Sequence, residues 1–316
     1  MKAKKIWTYA NAIKQAKKAI ATTRSMSNEQ SMLRQCVSDP KTSAHLISLT
    51  GAHTVAMARL FEAIVVSESN SSEAWKRLYS VWRFNELHWC TYLQNARYLS
   101  KIYPDKAKAG RLPIGNIECI WFNWICMTIA FSASIGEFTT ADWLANECIG
   151  FMSERPPYVA KNAWSVGSVE QFIMRVYMLW RKIPNRFYSD DLLDSSVFGK
   201  LITNIHNPDR LPDLVNELCE IHCYKSLNVH KADDDLIFGL NIVPFDVYPA
   251  EILFYLKMLR ETFNIDIRSE HPLLNSPMAM CPTPCPKMEV DPEYDEVYGA
   301  CKKLFPQLHL PSNPSS

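Results

Sequence analysis

The stretch from Ile117 to Ile135 constrains this chain more than any other. It carries Trp121, Phe122, Trp124 and Phe131, and only Glu118, Asn123, Thr128 and a few serines interrupt its apolar character. Wound as a helix, those polar residues spiral around the axis and leave no face for water. A helix apolar all round belongs in the middle of a core or in a bilayer. Its length approaches the roughly 20 residues that span a bilayer. Against a span stand Asn123 and Thr128 within the run, the short connection Gly136 to Thr139 before the next helix, and the lack of a comparably apolar second segment. A single span would also be expected to show a basic flank that sets its orientation. The expectation is a central buried helix in a protein with no membrane association.

Composition supports a helical reading. Nine glycines in 316 residues are few for a sandwich or a dinucleotide-binding fold, which need glycine at turns and phosphate loops. The formal net charge of +1 excludes the strong global field that holds nucleic acid. Ten cysteines in a chain of this length are no dense disulfide framework. Cys90, Cys119, Cys126 and Cys148 fall among apolar helical neighbours, where free thiols act as small hydrophobes. The start MKAKKIWTYANAIKQAKK has lysines but no apolar core of a secretory signal. A reducing, cytoplasmic setting is expected. A basic, acid-poor start is also the form of an organellar presequence, and a folded first helix is preferred.

Ile6, Tyr9, Ile13, Ala16 and Ile20 recur at helical spacing and predict an amphipathic helix over 2–22. From Ser43, a seam of Leu46, Leu49, His53, Ala56, Leu60 and Ala63 predicts a second, weakened at Gly51. Ser72 is the expected cap of a long helix to Ile102, with Trp75, Leu78, Trp82, Glu86, Trp89, Leu93 and Ala96 on one seam. After the central helix, the turn Gly136-Glu137-Phe138 and a cap at Thr140 close a helical hairpin. Ser168 with Gln171 forms a capping box before the stripe Val169, Phe172, Ile173, Val176, Tyr177 and Trp180, with Arg175, Arg181 and Lys182 opposite. Leu211, Leu214, Leu218 and Ile221 mark a further helix. Pro249 opens another at its first position, and Glu293 to Phe305 gives the last, before a frayed PSNPSS tail. Asp233 to Tyr248 shows no clear period, and proline density rules out regular structure from His271 to Pro286. The sum is an all-α protein, an irregular bundle of about ten helices built from helical hairpins with a Pro-rich C-terminal loop. It reads as one domain over 1–316, with a possible subdivision near 184–207.

No motif for phosphate binding, a di-iron bundle, a zinc protease or a serine hydrolase occurs. Three weaker candidates remain. Cys219, His222 and Cys223 at helical offsets, with Cys281 and Cys285 in the loop, offer zinc-ligand types, although ordinary helical cysteines produce the same offsets. Glu86 among tryptophans is a candidate acid with a raised pKa. Arg83 one turn back makes a structural ion pair the preferred reading. His53 is read as a hydrogen-bonded core histidine, and as a base only if Glu86 converges with it. No cofactor is expected.

Charge distribution says more than its sum. Residues 1–24 hold seven basic side chains and no acid, whereas residues 208–296 hold seventeen acids against seven bases. A solvated face is the plain reading. The functional one is an acidic surface of Asp213, Glu217, Glu220, Asp233, Asp234 and Asp235 that meets a basic partner and speeds its capture.

The hairpin SIGEFTTADWLANECIGFM and the closing pattern YPAEILFYLKMLRETFNIDIRSEHPLL give residues 116–275 a general resemblance to the all-α immunity proteins of bacterial polymorphic toxin and secretion systems. The resemblance implies an antitoxin that binds and neutralises a cognate protein toxin by covering its active site, without chemistry of its own. The acidic surface would suit a basic nuclease as that toxin. The alternatives are a helical scaffold or adaptor that takes a peptide in a groove, and an enzyme that uses Glu86 and His53.

Overall fold

The computed structural model describes residues 8–22, 47–109, 111, 122–156, 159, 168–187, 196–227 and 248–313. Among these the fold is all-α. Eleven α-helices run α1 (Tyr9–Thr22), α2 (Ile47–Val66), α3 (Ser71–Ile102), α4 (Pro104–Lys108), α5 (Phe122–Ile135), α6 (Phe138–Glu154), α7 (Val169–Trp180), α8 (Val197–Thr203), α9 (Leu211–Leu227), α10 (Ala250–Phe263) and α11 (Pro292–Leu304). A 3-10 turn, Pro208–Arg210, leads into α9.

The described part of the apolar run is the hub of the molecule. Helix α5 packs against α3, α6, α7 and α10. Eleven of its fourteen residues are buried and none is exposed, which is where a helix without a polar face must go. Residues 117–121 lie outside the described residues. No helix among the described residues is long and apolar enough to cross a membrane.

The most extensive pairing joins α2 to α3. Of the predicted seam on α2, His53, Ala56, Leu60 and Ala63 are buried, and the helix runs on through Gly51. The predicted seam of α3 is buried from Leu78 to Ala96, with Trp75 half-buried at one end. At about 1.5 Å per residue this helix is about 48 Å long, long enough to meet α2, α5 and α11. Ser80 Oγ donates to Asp291 Oδ2 at 2.5 Å, and Arg59 on α2 pairs with Glu293 at 2.5 Å. Together they fasten α11 to this pair.

Several ends differ from the sequence expectation. Asn70, not Ser72, caps α3, its Oδ1 accepting from the Glu73 N–H at 3.1 Å. Asparagine is among the strongest capping residues, and the helix starts two residues earlier than a cap at Ser72 implies. Thr140 caps nothing. Helix α6 begins at Phe138, and the Thr140 hydroxyl is used across the core instead. Pro249 is the residue before α10 rather than its first turn. Ile20 is 38% exposed while Ala12 is buried, so the packed stripe of α1 is Ala12, Ile13 and Ala16. Arg175, expected in solvent, is buried. Helix α7 is enclosed nearly all round by α5, α8 and α10. Ser168 does cap α7, accepting from the Gln171 N–H at 3.3 Å.

Candidate functional site

Two places bring acidic groups into positions from which they can act. The first is the outer face of α9. Leu211, Val215, Leu218, Cys219 and His222 are buried, which turns Asp213, Glu217 and Glu220 outward, all exposed. Their offsets of four and three residues stack them on consecutive turns of one helix face. Glu217 reaches Lys200 only at 3.8 Å, and Glu220, its side chain 78% exposed, reaches His271 at 3.5 Å. Both are loose contacts, the first between two solvated side chains and the second between solvated Glu220 and a His271 that is largely covered. Asp233, Asp234 and Asp235 lie outside the described residues.

The second place surrounds Glu86 on α3. Glu86 is fully buried. Its Oε1 accepts from the Thr140 hydroxyl at 2.6 Å and from the Ser312 N–H at 3.0 Å, and its Oε2 accepts from the Ser312 hydroxyl at 2.5 Å. Thr140 Oγ1 in turn accepts from Trp82 Nε1 at 3.1 Å. Burial raises the Glu86 pKa, and these hydrogen bonds and the Arg83 charge pull part of the way back. The ion pair expected between Glu86 and Arg83 is replaced. The Arg83 guanidinium lies 3.6 Å over the Tyr294 ring and reaches Asp295 at 3.4 Å. At the rim of the helix α11 supplies an aromatic face and a carboxylate, while Glu86 points inward to hydroxyls.

Above Ser312 opens a cavity of about 760 Å³ whose wall includes Tyr79, Trp82, Arg83, Glu137, Tyr294 and Ser312. Burial raises the Glu137 pKa; Lys287 opposes the shift and Glu86 adds to it. Tyr79 is raised by burial and then by the Glu137 charge. Of the tail expected to fray, Ser312 and Asn313 form part of this wall. Leu308 and Leu310 are buried, and Leu310 bridges to Asn313.

His53 does not join Glu86. It stacks on Trp124 at 4.6 Å and sits 5.1 Å from His88, with Asn85 as its polar neighbour. Burial pushes its pKa down to about 4. Glu86 and His88, two positions apart on one helix, point about 200° from each other. The pair proposed for an enzyme therefore lies on opposite sides of α3. The five zinc-ligand candidates do not gather at one point either. His222 Nδ1 lies 2.6 Å from Glu251 Oε1 in a buried contact between α9 and α10. Burial pushes Cys219 well up and Cys223 up to about 12. Cys285 lies against Trp75 of α3 and Ile135 at the end of α5, with Cys281 beside it. Among the described residues no three His, Cys, Asp or Glu side chains gather around a point suited to a metal.

No protein family, no curated protein and no solved structure matches this chain.

Proposed function

We propose that this chain is a helical binding protein of the immunity type, which captures a basic protein toxin with the acidic face of α9 and covers its active site. The observation that carries the reading is the exposure of Asp213, Glu217 and Glu220 on one face, held only by loose contacts. Solvated carboxylates in a row accelerate capture of a positively charged partner and exchange water for cations cheaply. The general resemblance over residues 116–275 makes the partner a bacterial toxin met in the cytoplasm, and a nuclease has the required basic site. The test is co-expression with the product of each adjacent reading frame, scored for rescued growth and for a complex. The account expects one partner whose binding weakens with salt. The triple variant Asp213→Lys, Glu217→Lys, Glu220→Lys should then bind on the order of 100-fold more weakly, as reversed rim charges oppose encounter. Unchanged affinity in that variant removes the acidic face from the mechanism.

A second reading has its own observation. The cavity combines the aromatic rings of Tyr79, Trp82, Tyr294 and Tyr298 with charges of both signs, Arg83 and Lys287 beside Glu137, Glu289 and Asp295, a mixture that can hold both the side chains and the polar backbone of a bound peptide. A helical adaptor would use this groove. Loss of partner binding on Tyr79→Ala, with the α9 triple variant unaffected, would favour it.

A further inference from the structure

The loop after α10 carries chemistry that the binding reading does not use. In the loop after α10, the Cys281 and Cys285 sulfurs stand 3.5 Å apart. A disulfide holds its sulfurs at about 2.05 Å, so an approach of about 1.5 Å would join them. The two thiols are unequal. Cys285 is buried, its S–H directed at the Trp75 carbonyl oxygen at 3.0 Å and its N–H donating to the Ile135 carbonyl at 2.9 Å. Cys281 is half-buried, whereas the other described cysteines, Cys90, Cys126, Cys148, Cys219, Cys223 and Cys301, are all buried.

Cys281 also forms part of the wall of a cavity of about 590 Å³, together with Lys257, Arg260, Arg268, Ser269 and Asn275. The wall holds those three cations against one carboxylate, Glu261, which lies 3.7 Å from Lys257. Asp266 approaches Arg260 and Arg268 at 2.9 and 3.8 Å. Three cations against the two carboxylates Glu261 and Asp266 leave one positive charge in excess beside Cys281, and a small molecule bearing a carboxylate complements it.

We propose that Cys281 and Cys285 form a redox-active dithiol that undergoes exchange with a small carboxylate-bearing disulfide held in this cavity. The Cys281 thiolate attacks one sulfur of the disulfide. That S–S bond breaks, a mixed disulfide forms on Cys281, and the first thiolate leaves and takes a proton. Cys285, 3.5 Å away, then attacks the Cys281 sulfur. Its proton passes to the second departing thiolate, and the protein disulfide is closed. Two protein thiols lose two hydrogens and the small disulfide gains them. The order follows from access. The hydrogen bond with Cys281 and burial both hold the Cys285 thiol well up, so it acts only once Cys281 presents an activated sulfur beside it.

The test uses the full chain in buffers of varied ratio of glutathione to glutathione disulfide, followed by acid quenching, alkylation and tryptic mass spectrometry. Both cysteines lie on one expected peptide, Ser269 to Lys287. That peptide should lose two hydrogens in a single transition as the disulfide form rises. Cys285→Ser should accumulate a glutathione adduct at Cys281, and Cys281→Ser should form neither product. A wild-type peptide that stays alkylated at both cysteines in excess glutathione disulfide overturns the proposal without recourse to variants. So does stoichiometric zinc in the purified protein whose chelation alone exposes both thiols, which would make the pair part of a metal site.

Discussion

Glu86 and Glu217 are the same side chain under opposite conditions. Glu86 is buried, and three donors, contributed by α6 and by the C-terminal segment, fill its oxygens. Glu217 stands in water with a lysine at 3.8 Å. A buried carboxylate is costly to leave unpaired, and each donor removed exposes that cost. An exposed ion pair contributes about 0–1 kcal/mol and is screened by salt. Glu86 therefore joins distant segments of the fold, whereas Glu217 leaves the fold indifferent and is available to a partner.

The contrast can be broken at its strongest contact. Thr140→Val removes a donor to Glu86 and the acceptor of Trp82 Nε1 together. Two buried polar groups then lose partners, and stability should fall by about 2–3 kcal/mol, read as a lower urea midpoint. A change below about 0.5 kcal/mol, the ordinary range of surface substitutions, would place Glu86 with Glu217. Ser312→Ala is the milder version. It removes one hydroxyl and keeps the backbone donor, so a loss of about 1 kcal/mol is expected, with limited proteolysis reporting release of the segment after Phe305.

How much of this was legible in the sequence depends on how far apart the partners lie. The encirclement of α5 followed from a run with no polar face, and the outward row on α9 from offsets of three and four residues. Both are local patterns. The Glu86 cluster was half legible. Its burial among tryptophans showed in the α3 seam, but its partners sit 54 and 226 positions away. A threonine just after a turn has the local marks of a cap, so Thr140 was assigned that role. Ser312 lay in a tail rich in serine and proline, and only Leu308 and Leu310 before it hinted at an anchored end. Arg175 was misread for a related reason. Charge opposite an apolar stripe implies solvent only where a helix has one covered side, and α7 has several.

The dithiol loop shows the same limit from the other side. Cys281 and Cys285 were visible as ligand types in a loop without regular structure. Their approach to each other, and the cavity beside Cys281, depend on where α10, the end of α5 and the loop after α10 meet.

The claim that burial separates the two carboxylates is tested most directly by the pH dependence of unfolding. Glu86 has its folded pKa raised above the unfolded value, so the folded state binds the proton more readily. Its contribution is present at low pH and is lost as pH rises from the ordinary carboxylate range through the folded value. Urea unfolding between pH 4 and 8, at roughly one-unit steps, should show Glu86→Gln losing less stability than the parent as pH rises. Parallel curves for the parent and Glu86→Gln would contradict the account.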